Sequence, residues 1–214
     1  MSGTDTAQHG AQPTARATVH LAVYDGMADW ETGHATAELA VSGHRVIAVG
    51  RTTEPVTTIA GLRLLPEITL DQLRPADSAL LILPGAGGWL EGAELAPFAE
   101  AARAFVDAGV PVAAICGAVV GLAGAGLLDE RAHTAAAPEV LAMSGYAGGA
   151  HYREADAVTD GDVITAGPTD PEAFAREILT RLDAYPPEVV DAWFRLYADS
   201  DASAYPIVAA AQGS

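Results

Sequence analysis

One thiol, one carboxyl and one glycine-rich loop carry the chemistry open to this sequence. The thiol is Cys116, the only cysteine among 214 residues. It closes an apolar run at 110–115 and is followed at once by Gly117-Ala118-Val119-Val120-Gly121. A buried strand that stops at a nucleophile and turns directly into a helix of small residues is the sequence form of a nucleophile elbow. The turn lifts the side chain out of the sheet. The helix N-terminus points unpaired N–H groups and a positive dipole end at the sulfur, which predicts a lowered thiol pKa. The competing reading is a small buried core residue, a common setting for free cysteine.

The carboxyl lies in Gly26-Met27-Ala28-Asp29-Trp30-Glu31-Thr32. Acidic residues suit the first turn of a helix, and that accounts for Asp29. Glu31 falls near the apolar face, so it is expected to point inward. A buried carboxylic acid has a raised pKa and can hydrogen-bond a thiolate or move a proton. The loop is Leu83-Pro84-Gly85-Ala86-Gly87-Gly88. Its backbone N–H groups suit an oxyanion, a tight turn or a weak phosphate cradle. Its spacing is not that of a dinucleotide fingerprint. Met27 and Trp30 either line an apolar substrate pocket or belong to the core.

These groups need a scaffold that brings residues 31, 85 and 116 together. Strands are expected at 18–24, 44–49, 79–83 and 110–115, with two short strand-like pieces near 56 and 62–65 and later ones at 157–159 and 163–166. Helices are expected at 28–42, 94–108, 117–125, 138–144, 171–182, 187–196 and 202–211. In the second of these, Leu95, Phe98, Ala102, Phe105 and Val106 share one face. Strands alternating with helices predict a mostly parallel sheet covered on both sides, a single-domain α/β sandwich of flavodoxin-like form. Ligands in such sheets sit beyond the carboxyl ends of the strands, where the turn after strand one, the glycine loop and Cys116 all fall.

Composition narrows the function classes. The net charge is −17 with 11 basic residues, every one arginine. Such a surface disfavours nucleic acid and anionic membranes as partners, since phosphate binding needs clustered positive charge. A lone cysteine makes no internal disulfide, and the polar N-terminal stretch lacks a signal-peptide pattern, so a cytoplasmic protein is expected. No apolar run approaches membrane-span length. No cysteine pair or close histidine pair suggests a metal, and no cofactor is expected. Residues 1–17 read as a disordered tail, 18–184 as the α/β domain and 185–214 as a helical extension.

Taken together, these motifs resemble the ThiJ/PfpI superfamily, which includes the Parkinsonism-associated protein and isonitrile hydratases. The resemblance runs over roughly 18–183. It rests on Gly26–Thr32 with Glu31, on Leu81-Ile82-Leu83-Pro84-Gly85 and on Ala113-Ala114-Ile115-Cys116. Gly126-Leu127-Leu128-Asp129 and Gly161-Asp162-Val163-Ile164-Thr165-Ala166 complete it. It implies Cys116 as nucleophile, Glu31 as the acid at its sulfur, and Gly85, Gly117 and Ala86 as oxyanion or substrate contacts, with Trp30 beside them. It also implies a homodimer and a small-molecule substrate.

The departures are specific. Family proteases carry histidine directly after the cysteine, where this chain has Gly117, so peptidase activity is not expected. The late His-x-Glu pair of amidotransferases is absent; His151 is followed by Glu154 at another spacing. The human-type histidine aligns with Ala135, and His133 two residues earlier would share its strand face, a candidate catalytic group. His34, one turn past Glu31, is another. The expected function is cysteine-dependent attack on a small electrophile: a hydratase, a glyoxalase or deglycase, or an amide-type hydrolase. A redox sensor with an oxidisable Cys116 and no turnover is the alternative, and a non-catalytic binding domain is a third.

Overall fold

The computed structural model describes residues 17–213 apart from Gly92. The expected tail therefore lies, except for Ala17, outside the described residues. The chain opens with β1 (Thr18–Ala22), α1 (Asp29–Val41) and β2 (Arg45–Gly50). Gly43, at φ +95°, ends α1 with the left-handed turn that lets His44 N–H return to the Leu39 carbonyl. Next come β3 (Val56–Thr57) and β4 (Arg63–Leu64), an antiparallel hairpin separate from the main sheet, and then β5 (Ile68–Thr69).

The central elements are β6 (Leu80–Leu83), α2 (Ala96–Asp107), β7 (Val112–Ile115) and α3 (Gly117–Gly124). They are followed by α4 (Pro138–Ala142), β8 (Ala157–Asp160), β9 (Val163–Ala166), α5 (Pro171–Arg181), α6 (Pro187–Ala198) and α7 (Tyr205–Ala211). Seven strands form one sheet in the order β5-β2-β1-β6-β7-β9-β8. Every neighbouring pair is parallel except β8 with β9. The expected α/β sandwich with a mostly parallel sheet is the observed architecture.

Every residue of β6 and β7 is buried, as a parallel sheet covered on both faces requires. Alternation along these strands feeds two cores. Leu81, Leu83, Val112 and Ala114 join the layer under α2 and α3, with Phe98 and Phe105. Leu80, Ile82, Ala113 and Ile115 join the layer under α1 and α5, with Phe174. Each of these large side chains contributes about 1.5–3 kcal/mol by leaving water. Val190, Trp193 and Val208 place α6 and α7 in the second core. Among the described residues, no helix is long and apolar enough to cross a membrane.

This architecture puts the carboxyl ends of β1, β6 and β7 side by side. The turn into α1, the glycine loop and the cysteine meet there.

Candidate active site

Cys116 is the residue before α3, and its backbone sits at φ +58°, ψ −125°. A non-glycine residue there carries about 1–3 kcal/mol of strain, held only where surroundings over-determine it. Here Cys116 N–H donates to the Ala166 carbonyl at 3.0 Å, and the Cys116 carbonyl accepts from Val119 N–H at 3.1 Å. The strand end and the first helical turn thus fix the kink from both sides. Gly117 must be glycine: a Cβ there would lie 2.9 Å from the Ala86 carbonyl oxygen and 3.5 Å from the Ala86 nitrogen and Trp89 Cβ.

Glu31 is fully buried in the first turn of α1. Its Oε2 accepts from Gly85 N–H at 2.5 Å, while Oε1 is buried without a hydrogen-bond partner of its own among the described residues. Gly85 is wedged between the acid and the thiol. A Cβ built on it would sit 2.8 Å from both Glu31 oxygens and from Cys116 Cβ. Only a residue without a side chain lets the three approach so closely.

The electrostatics follow from that closeness. Burial raises the Glu31 pKa, and the Gly85 N–H and the adjacent Cys116 thiol oppose the rise. The Cys116 thiol is pushed up to about 12, first by burial, then by the Glu31 charge and hydrogen bonding to it. The Gly117 N–H at the helix start pulls the other way and is outweighed. The lowered thiol pKa expected from the helix N-terminus is therefore corrected: burial and the neighbouring Glu31 outweigh the helix start. The dipole argument omitted the buried anion beside it.

Two further expectations change. Gly85 N–H is occupied by Glu31, so it is not free to hold an oxyanion. The Gly85 carbonyl accepts from Ala28 N–H at 2.9 Å. Because the peptide is planar and trans, this directs Ala86 N–H to the opposite side. Ala86 N–H pairs with no group among the described residues, and Gly117 N–H opens α3 next to Cys116. These two are the available donors.

His133 is the second correction. It is buried, with Nδ1 2.7 Å from the Arg131 carbonyl and Nε2 3.3 Å from the Tyr146 hydroxyl. A carbonyl only accepts, so Nδ1 carries the proton and Nε2 accepts from Tyr146. Both nitrogens are spent, and His133 is not in the lining of the cysteine cleft. His34 also faces elsewhere, 3.3 Å from Glu172 and edge-on to Trp193 and Tyr197.

The cleft above Cys116 encloses about 300 Å³. Its base is formed by Glu31, Gly85, Ala86, Cys116 and Gly117. Its walls are apolar: Trp30, Ile59, Leu90, Val120 and Val140. Trp30 is half exposed, and its indole N–H donates to the Pro168 carbonyl at 3.3 Å. Ile59 comes from the tip of the β3–β4 hairpin. That hairpin is tied over the site by Asp29 Oδ2 accepting from Ala60 N–H at 2.9 Å and Asp25 Oδ1 accepting from Thr57 N–H at 2.7 Å. Sequence reasoning found the two strand pieces but not their place over the cleft. The Ala60-Gly61 turn between β-rich runs was the available signal. Among the described residues there is no cluster of potential metal ligands.

The sequence profile of the DJ-1/PfpI family matches residues 16–181. The chain is 35% identical over 188 residues to the uncharacterized protease YoaZ of Bacillus subtilis, covering 83% of this chain and 89% of that protein. It is 28% identical over 148 residues to the glutathione-independent glyoxalase DJR-1.2 of Caenorhabditis elegans, covering 68% of this chain and 77% of the relative. The crystal structure of the thiJ/pfpI family protein from Bacillus anthracis superposes with a TM-score of 0.86 at 33% identity, over 91% of this chain and 97% of that one.

Proposed function

The chain belongs to the DJ-1/PfpI family, and on that premise we propose that it is an enzyme whose Cys116 attacks a small electrophile bearing an apolar substituent, with a 2-oxoaldehyde as the best-fitting class. The observation that carries this reading is the Glu31–Cys116 pair, wedged around Gly85 at the base of an apolar cleft. The glyoxalase name of one relative supports the substrate class.

The chemistry runs on one carboxyl. Glu31, held ionised while the thiol keeps its proton, takes that proton as sulfur bonds to the aldehyde carbon. The carbonyl electrons move to oxygen, where Ala86 and Gly117 N–H groups hold the charge. Glu31 returns the proton and a thiohemiacetal results. Glu31 then takes that carbon's hydrogen as a proton, leaving an enediolate, and returns it to the neighbouring carbon, while the thiohemiacetal hydroxyl proton passes to the former ketone oxygen. The first carbon is oxidised to a thioester and the second reduced to an alcohol, with no external oxidant. Water cleaves the thioester, releasing a 2-hydroxy acid and the thiol. The raised Glu31 pKa suits a group that must both take and give a proton.

A peptidase reading is less favoured, whatever name one relative carries. Residue 117 is glycine and, among the described residues, no histidine lines the cleft.

The test is a substrate panel of phenylglyoxal, methylglyoxal, isonitriles and simple amides. Phenylglyoxal is expected to turn over with the lowest KM. Turnover is expected to fall by at least about a hundredfold in Glu31→Gln and to vanish in Cys116→Ala, both folded. Turnover of isonitriles or amides alone would move the reading to a hydratase or an amide hydrolase. No turnover, together with oxygen gain on Cys116 under mild peroxide, would replace it by the redox sensor.

A further inference from the structure

We propose that Tyr24 and Trp89 are positioning residues that aim the Glu31 carboxyl by holding one peptide plane, the Pro84–Gly85 amide. Neither touches the cleft that holds the substrate, and the inference rests on the reading of Glu31 as proton carrier. The Tyr24 hydroxyl donates to the Pro84 carbonyl oxygen. Trp89 Nε1 lies 3.1 Å from that same oxygen and 3.0 Å from the Tyr24 hydroxyl oxygen, donating to both. Three groups thus close a buried triangle of hydrogen bonds on one atom.

That atom and the Gly85 nitrogen belong to one rigid, planar amide. Fixing the carbonyl on one side aims the N–H on the other, and there it meets Glu31 Oε2 at 2.5 Å. Without the clamp, a glycine at position 85 leaves this amide free to rotate. Two donors on the carbonyl also polarise the amide and strengthen its N–H as a donor.

The clamp is itself held rigidly. The Tyr24 ring meets Trp89 edge-on at 5.8 Å and Phe98 at 5.0 Å. The Trp89 ring lies so close to α3 that a Cβ on Gly121 would come within 2.2 Å of it. Gly121 therefore makes room for the indole, and Trp89 has one place to be. The titratable groups that face Glu31 are Cys116 from the elbow and Tyr24 from the end of β1.

The test follows the Glu31 carboxyl carbon by ¹³C NMR across pH, with the signal assigned by its absence in Glu31→Gln. Gly85 N–H stabilises the carboxylate, so loosening it lets Glu31 hold its proton to higher pH. Tyr24→Phe and Trp89→Phe are each expected to raise the midpoint by about half to one pH unit. A merely structural role would lower thermal stability and leave the midpoint in place. An unmoved midpoint in Tyr24→Phe, which removes one oxygen and no carbon, overturns the proposal even if Trp89→Phe fails to fold. The readout needs no substrate, so its failure is distinct from failure of the glyoxalase-type reading.

Discussion

Glu31 and His133 are both buried titratable residues, and the fold treats them in opposite ways. Around His133 both ring nitrogens have partners, and Tyr146 and Tyr152 pack edge-on against the imidazole. Around Glu31 one oxygen accepts from Gly85 N–H, and the other is buried with no hydrogen-bond partner among the described residues. A fully spent buried polar group is architecture. A buried group with capacity in reserve costs stability, by roughly 1–3 kcal/mol for an unmet acceptor, and such a cost persists where chemistry uses it. The difference separates the two better than residue type does, since histidine is the more usual proton carrier.

The sharpest way to break this contrast is to crowd each region by one methyl group. In Gly85→Ala the new Cβ would stand 2.8 Å from three atoms of the Glu31–Cys116 pair. Turnover is expected to fall by more than about a hundredfold, because displacement of about 1 Å suffices for that. Gly149→Ala, beside the His133 segment, meets nothing within 4 Å and should be silent in both activity and stability. Steady-state kinetics and thermal melts on the pair check this. Equal effects would mean that the wedge at Gly85 is not special.

Next in size is a pair of substitutions that should dissociate activity from stability. Glu31→Gln is expected to lose turnover and keep or gain stability, since it removes a buried charge with an unmet oxygen. His133→Phe is expected to lose about 1–3 kcal/mol in urea unfolding, by stranding the Arg131 carbonyl and the Tyr146 hydroxyl. Its folded enzyme should keep kcat within about threefold, an effect of the size left when no transition-state contact is lost. A large kcat loss in His133→Phe would restore the histidine to the mechanism.

The same contrast explains what the sequence made legible. Cys116, Gly85 and Glu31 were readable because each is written into a local pattern: an apolar run broken by a sharp turn, or a carboxyl in a first helical turn. The sheet order then follows from parallel βαβ connections. His133 was misplaced because the same-face argument put it on one strand with Ala135, two residues on. The segment makes only an isolated bridge, His133 with Tyr152, and the adjacent Ala135 and Ala136 both line the cleft. The direction of Gly85 N–H was equally beyond the sequence. It depends on Tyr24 and Trp89, separated by 65 residues and brought together only by packing.

The smallest expected effect is the pH dependence of folding, where the two residues should act with opposite sign. Folding raises the Glu31 pKa above its ordinary 4.5, so the native state binds the extra proton and loses stability as pH rises above that value. Folding lowers the His133 pKa below its ordinary 6.5, so the native state rejects a proton and loses stability as pH falls below that value. Urea unfolding between pH 4.5 and 6.5 measures the sum, and the variants separate it. Relative to wild type, Glu31→Gln should become progressively more stable as pH rises through this window. His133→Phe should show its smallest deficit at the acid end, where the wild-type imidazole must give up its proton to stay buried. Parallel curves for wild type and Glu31→Gln would mean that Glu31 titrates in the fold as it does in the open chain, and the reserve capacity that distinguishes it from His133 would be gone.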